Sequence, residues 1–244
     1  MADAMCFIEE AKRATRMGDL TGLLADVVRE LGFNHVTLAH HVDPEHAPRS
    51  AVAFSNYPEA WMNRILSRRY FSDDPVLVAS ERSAAPILWS EVPRRLKLTA
   101  RQTEILRLAD EFGLAEGLTI PINVPGEFHG SCSFGVRKGR PMPGEGRFAA
   151  LWVGAFAFES ARRIVGLVRP SAERPRLTPR QFDCLVLVGK GKSDWTIAQL
   201  LGISRETVHE HLEAAKRRYG VATRPQLVAS CLADGQITYA DLLG

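Results

Sequence analysis

Cysteine is scarce in this chain of 244 residues: four, at Cys6, Cys132, Cys184 and Cys231, none forming a C-x-x-C pair. Such spacing argues against a disulfide framework or a zinc site and suits free thiols in a reducing cytoplasm. Long apolar runs are missing as well. No stretch reaches the roughly eighteen residues that a membrane helix needs. The first residues, MADAMCFIEEAKRATRMGDL, lack the apolar core of a signal peptide, so a cytoplasmic chain without a membrane partner is expected. Charge of one sign is also scarce. A formal net charge of +3 admits nucleic acid as a partner without demanding it.

Catalytic signatures are equally thin. There is no G-x-S-x-G elbow and no evident pair of catalytic carboxylates. Gly189-Lys-Gly-Lys-Ser193 glances at a phosphate loop, but Val186 occupies the earlier glycine position and no strand precedes it. His40, His41 and His46 lack helical metal spacing and read as surface histidines; neither a metal nor a cofactor is expected. A receiver domain would need an early acidic cluster, a phosphorylatable aspartate after a buried parallel strand and a later lysine, and no such order appears. Enzymatic function is therefore not expected.

What is present is an ordinary soluble composition, 45% hydrophobic and 24% charged, long enough for two domains. The boundary falls at Val168-Arg-Pro-Ser-Ala-Glu-Arg-Pro-Arg176, whose prolines and alternating charge predict an extended linker. Residues 1–167 mix helical spacing with alternating strands at His35–His41, Ala51–Ser55, Leu118–Val124 and His129–Val136. An apolar-rich segment from Glu145 to Leu167 reads as a long, largely buried helix. Paired strands with helices before, between and after them predict an α/β/α sandwich on an antiparallel sheet, giving an α+β chain overall.

Residues 177–244 predict an all-α unit of four helices. Thr178-Pro-Arg-Gln181 is a capping box with proline at the first helical position, and Phe182, Leu185 and Val188 follow at core spacing. Ser193 can cap a short helix, Asp194 to Leu201, burying Ile197, Leu200 and Leu201; Gly202 then supplies a left-handed turn. Ser204 can cap a third helix, Arg205 to Tyr219, with Val208, Leu212, Ala215 and Tyr219 inward. Thr223 and Gln226 can start a fourth that Gly235 ends. A short helix, a glycine turn and a longer helix with a polar face make a helix-turn-helix. Charge alone leaves a protein-interaction bundle open, since residues 171–244 carry ten basic against eight acidic side chains.

The motif itself is more specific. The stretch LTPRQFDCLVLVGKGKSDWTIAQLLGISRETVHEHLEAAKRRYGVATR resembles, without a gap, the helix-turn-helix of the LuxR family of bacterial regulators. The matches are Leu177-Thr178-x-Arg180, Gly191-Lys192-Ser193, Ile197-Ala198, Ile203-Ser204, Thr207-Val208-x-x-His211 and Arg224. Gln181 stands where the family nearly always has glutamate, yet glutamine can still close a capping box. The resemblance implies that Thr207, His209, Glu210, Glu213 and Lys216 face the major groove of double-stranded DNA. It implies phosphate contacts for Lys192, Ser193 and Arg205. It further implies a homodimer on a palindromic site, with RNA polymerase as a partner.

In the first domain, Asn56 can cap a helix on which Tyr57, Trp61 and Ile65 share one face. From spacing alone such a stripe reads as core. Over most of residues 1–165, however, the chain resembles the acyl-homoserine-lactone-binding domain of quorum-sensing LuxR regulators. Trp61, Asp74, Pro75, Trp89 and Gly117 fall on five of that family's six signature positions, and Tyr57 and Ser133 fall where it has ligand contacts. By this resemblance the Trp61 indole, a donor only, suits the lactone carbonyl, and an ionised Asp74, an acceptor only, suits the amide N–H. Tyr57 and Ser133 hydroxyls would donate to the acyl carbonyl, and Trp89 would pack near the lactone ring. The sixth position, usually tyrosine, is Ile65. Loss of that ring points away from the common straight 3-oxo tail, toward a branched or aromatic one.

Overall fold

The computed structural model describes residues 2–168 and 175–244, so most of the expected linker lies outside the described residues. Apart from Pro125–Glu127, the chain divides into two compact units after Val168. Among the described residues no helix is long and apolar enough to cross a membrane, and all four cysteines are free thiols.

The first unit opens with helices α1 (Ala2–Arg13) and α2 (Met17–Glu30), then strands β1 (His35–His40) and β2 (Ala53–Ser55). Helices α3 (Glu59–Arg68) and α4 (Pro75–Glu81), strand β3 (Ile87–Leu88), and helices α5 (Val92–Arg95) and α6 (Ala100–Glu111) follow. Strands β4 (Glu116–Ile122) and β5 (Gly130–Val136) and helix α7 (Gly146–Ile164) complete it. The five strands form one antiparallel sheet in the order β2-β1-β5-β4-β3. This is the predicted antiparallel sandwich, with β3 an added edge strand.

Alternation along the strands sorts side chains onto two unlike faces. Val36, Leu38, Leu118, Ile120, Cys132, Phe134 and Val136 face α1, α2 and α7 and form the main core. The opposite face carries Thr37, Ala39, Gly117, Thr119, Ser131, Ser133 and Gly135, and helices α3 to α6 belong to this side. Its own central side chains are short, and bulk returns through Trp61, Tyr70, Trp89, Ile105, Leu108 and Leu114, which make a second cluster with Tyr57 and Ile65, and through a smaller one of Ala79, Ile87 and Val92. β5 is buried along its whole length because both its faces are covered.

Several expectations need correction. Asn56 does not cap α3: that helix starts after Pro58, and the Asn56 carboxamide instead accepts from the Val36 N–H at 2.6 Å, tying the chain to β1. Helix α7, expected to be largely buried, buries one face only, and Phe148 and Trp152 project into solvent, 59% and 58% exposed. His40 and His41 are not surface residues. The His40 ring packs edge-on against Phe158 at 5.0 Å, and the His41 side chain is only 5% exposed.

The second unit comprises α8 (Pro179–Gly189), α9 (Asp194–Leu201), α10 (Arg205–Tyr219) and α11 (Arg224–Ala233), as expected from their caps. Gly202 holds the turn before α10 at φ 65°, where a Cβ would be strained. The predicted four helices are five, because Thr238 and Asp241 form one more capping box and start α12 (Tyr239–Leu243). Leu200, expected inside, is exposed; Ile197 and Ala198 carry the buried face of α9.

Gly117 tests the packing of the first unit most sharply. A Cβ there would lie 2.6 Å from both the Trp89 ring and the backbone oxygen of Phe134, which cannot give way together. Gly117→Ala should therefore cost about 1–3 kcal/mol as overpacking. Denaturant unfolding followed by tryptophan fluorescence reads this, with unchanged stability as the contrary result.

Candidate functional site

The polar face of the sheet holds a directional chain of hydrogen bonds. The Trp89 indole N–H donates to Thr119 Oγ1 at 2.9 Å, and Thr119 Oγ1 lies 2.8 Å from Ser133 Oγ. Thr119 is fully buried, so its own proton must find an acceptor, and Ser133 Oγ is the one at hand. Thr119 thus donates to Ser133, and the Ser133 O–H is left to donate onward, with the Tyr57 hydroxyl within its reach. Register makes this possible, because Ser133 pairs with Thr119 on one side and Thr37 on the other. Thr37 in turn shares a 2.8 Å hydrogen bond with Ser55.

Tyr57 reaches the same spot from the segment before α3. Burial pushes its phenol well above the usual range, against opposing hydrogen bonds from Thr37 and Ser133, so it stays protonated and can donate. Its ring stands edge-on to Trp89 at 6.4 Å. Trp61, on the first turn of α3, is 2% exposed and packs against Phe112 and Tyr70. No acceptor among the described residues takes its indole N–H. Ile65, one turn on, is half-buried against the same aromatic cluster.

Asp74 caps α4, accepting from the Val76 N–H at 2.8 Å, with Pro75 at the first helical position. Burial raises its carboxyl to about 6, outweighing the backbone N–H groups of Val76 and Leu77 that stabilise its charge. A carboxyl that holds its proton more tightly folded than unfolded stabilises the fold fully below about pH 4, and that contribution is lost as pH rises through 6. The site therefore carries a buried acceptor in need of a donor. Among the residues named from sequence, Tyr57, Trp61, Ile65 and Trp89 meet in one aromatic cluster, whereas Ser133 and Asp74 come from β5 and the α4 cap. Thr37 and Thr119 were missed, since strand register is invisible in a local pattern.

Asp43, Glu45 and His46 form the one metal-like acidic and histidine group among the described residues. The Arg69 guanidinium already pairs with Asp43 at 2.7 Å and approaches Glu45 at 3.7 Å, placing a positive charge where a cation would sit.

In the second unit, α9 and α10 present a polar surface. Asp194, Arg205, Glu206, His209 and Glu210 line a shallow groove between them. Lys192 is exposed, and Ser193 is spent partly on capping, accepting from the Thr196 N–H at 3.2 Å. Thr207 is half-buried with its hydroxyl 3.1 Å from Ser204 Oγ. Glu213 and Lys216 bind each other at 2.8 Å, which holds the Glu213 carboxyl below its usual range. The residue that sequence reasoning had placed only in a motif is Arg224, which grips Asp194 through two hydrogen bonds of 2.5 and 2.8 Å. That pair clamps the start of α11 onto the start of α9. Gln181, 4% exposed, keeps the capping role expected of it and also accepts from Arg218 at 3.3 Å.

Comparison with known proteins agrees with both readings. Residues 17–161 match the autoinducer binding domain, and residues 175–231 match the bacterial regulatory proteins of the luxR family. The transcriptional activator AhyR of Aeromonas hydrophila is 26% identical over 233 residues, covering 94% of this chain and 90% of AhyR. The quorum sensing-dependent regulator RpaR of Rhodopseudomonas palustris is 30% identical over 185 residues, 75% of this chain and 74% of RpaR. The crystal structure of Escherichia coli SdiA has the same fold, with a TM-score of 0.63 at 20% identity over 96% of this chain and 97% of SdiA.

Thr119 is the test of the hydrogen-bond chain. Thr119→Val removes the relay while keeping shape, orphaning the Trp89 N–H, and should cost about 1–3 kcal/mol. Thr119→Ser should recover most of it. Equal stability of the valine and serine variants in denaturant titrations would contradict the relay.

Proposed function

This chain belongs to the autoinducer-binding LuxR family of bacterial transcriptional regulators, and we propose that its first domain binds an acyl-homoserine lactone that controls its binding to DNA. It carries an autoinducer-binding domain and a LuxR-type DNA-binding domain. In the proposed assignment residues 1–167 sense the ligand, 168–176 link, and 177–244 bind DNA in the cytoplasm.

The observation that carries the ligand reading is the complementarity of the site. The donor-only Trp61 N–H is available to the lactone carbonyl, the Asp74 carboxylate to the amide N–H, and the Ser133 and Tyr57 hydroxyls to the acyl carbonyl. Trp89 walls the lactone side. Ile65 shapes the tail region, and its aliphatic surface favours a branched or aromatic tail over a straight 3-oxo one. Bound ligand would satisfy the buried polar groups and stabilise the folded state by mass action, about 2.7 kcal/mol at a hundredfold excess over Kd.

For the DNA reading, α10 is the recognition helix. Thr207, His209, Glu210, Glu213 and Lys216 are assigned to the major groove, and Lys192, Ser193 and Arg205 to phosphates. One chain offers one recognition helix, so a palindromic site calls for a second copy. The exposed ridge of Phe148 and Trp152 on α7, with Phe156 stacked on Trp152 at 6.3 Å, is the surface assigned to that copy. RNA polymerase is the partner through which such a dimer would act on transcription.

Two outcomes are expected. Lactone affinity, measured by fluorescence titration, should fall as pH drops through 6, because protonation of Asp74 removes the amide's acceptor; it should approach a tenfold loss per unit once below that value. Asp74→Asn should bind weaker and with a flat profile; a wild-type profile as flat as the variant's would contradict the role of Asp74. Trp152→Glu should shift lactone-loaded protein from dimer to monomer in sedimentation, and a dimer of unchanged strength would contradict the assigned ridge.

A further inference from the structure

We propose that the ligand face of the sheet holds a second polar position, Ser131 backed by His41 and Glu81, which accepts a hydrogen bond from a hydroxyl on the ligand's acyl chain. The inference rests on the reading of the first domain as an acyl-lactone receptor and names the kind of tail it takes.

Ser131 is 2% exposed and lies two residues from Ser133 on the same face of β5, about 6.8 Å along the strand. Across β1 it pairs with Ala39, whose methyl group offers it no hydrogen bond. His41 Nε2 is 2.9 Å from Ser131 Oγ, and His41 Nδ1 is 3.1 Å from Glu81 Oε1. An ionised Glu81 can only accept, so Nδ1 carries the imidazole proton and donates. Burial lowers the His41 pKa, which keeps the ring neutral and leaves Nε2 a bare acceptor. Ser131 must then donate its own proton to Nε2. Its buried oxygen, on the same face of β5 as Ser133, keeps lone pairs that no donor among the described residues meets.

Ser133 has the opposite polarity: with Thr119 as the donor across their 2.8 Å contact, its own O–H is left to donate. Along the strand the face thus reads donor, then acceptor. A tail leaving an acyl carbonyl at Ser133 has one direction along β5, because Trp89 covers Gly135 on the other side; a Cβ there would sit 3.1 Å from that ring. The same direction is marked by α4, which carries Asp74 at its first end and Glu81 at its last, seven residues or about 10 Å apart. A chain hydroxyl meets the Ser131 acceptor. A keto oxygen in that place sets acceptor against acceptor, and a methylene leaves Ser131 unmet.

The test uses purified full-length protein and synthetic homoserine lactones of equal chain length: unsubstituted, and hydroxyl- or oxo-substituted at successive tail carbons. Dissociation constants are read by calorimetry for wild type, Ser131→Ala and the closely isosteric Ser131→Cys. One hydroxyl isomer should bind wild type roughly tenfold tighter than its unsubstituted and oxo counterparts. That ratio should collapse toward one in both variants. Lactones bound by wild type without a hydroxyl preference, or a preference kept in a folded Ser131 variant, would overturn this proposal alone. Failure of every lactone to bind would overturn it together with the receptor reading.

Discussion

The first domain depends on one constraint: its central strand must serve two layers of opposite chemistry. β5 gives Cys132, Phe134 and Val136 to the helices α1, α2 and α7, and Ser131, Ser133 and Gly135 to the other side. A slip of one residue would exchange the faces, putting hydroxyls into the main core and phenylalanine onto the polar surface. The apolar half secures the register, and the register in turn lines up Thr37, Ser133 and Thr119 across three strands. Stability on one face thereby sets hydrogen-bond geometry on the other.

That geometry has a polarity as well as a shape. Trp89 can only donate, so Thr119 accepts from it, and the buried Thr119 proton has Ser133 Oγ as its acceptor 2.8 Å away. Asp74 serves two ends at once, capping α4 and presenting a carboxylate whose burial makes its charge costly. A ligand that donates to it relieves that cost, which gives the proposed signal a means of shifting the population of the folded, DNA-competent chain. In the second domain the comparable device is Arg224, whose paired bonds to Asp194 hold the two helix starts together without using the outward face of α10.

Local chemistry was legible in the sequence. Thr178 with Gln181, Ser193, Gly202 and Ser204 place the helix boundaries within a few residues of the chain, so α8 to α11 could be read directly. The short α12 escaped because Thr238 and Asp241 bound too little apolar sequence to look like a helix. Nonlocal features were harder. Ser131 and His41 stand 90 positions apart, and only strand register brings them to 2.9 Å. Asn56 has the chemistry of a cap but found a better use on the Val36 N–H. Leu200 and Trp152 show that apolar character alone does not say whether a side chain is covered.

The central claim is that the first domain holds an acyl-homoserine lactone. Small-molecule mass spectrometry of extracts from protein made in its native host tests it most directly. The account predicts a homoserine lactone in stoichiometric amount, absent from an Asp74→Asn preparation. A different molecule in that amount, lacking the lactone and its amide, would contradict it.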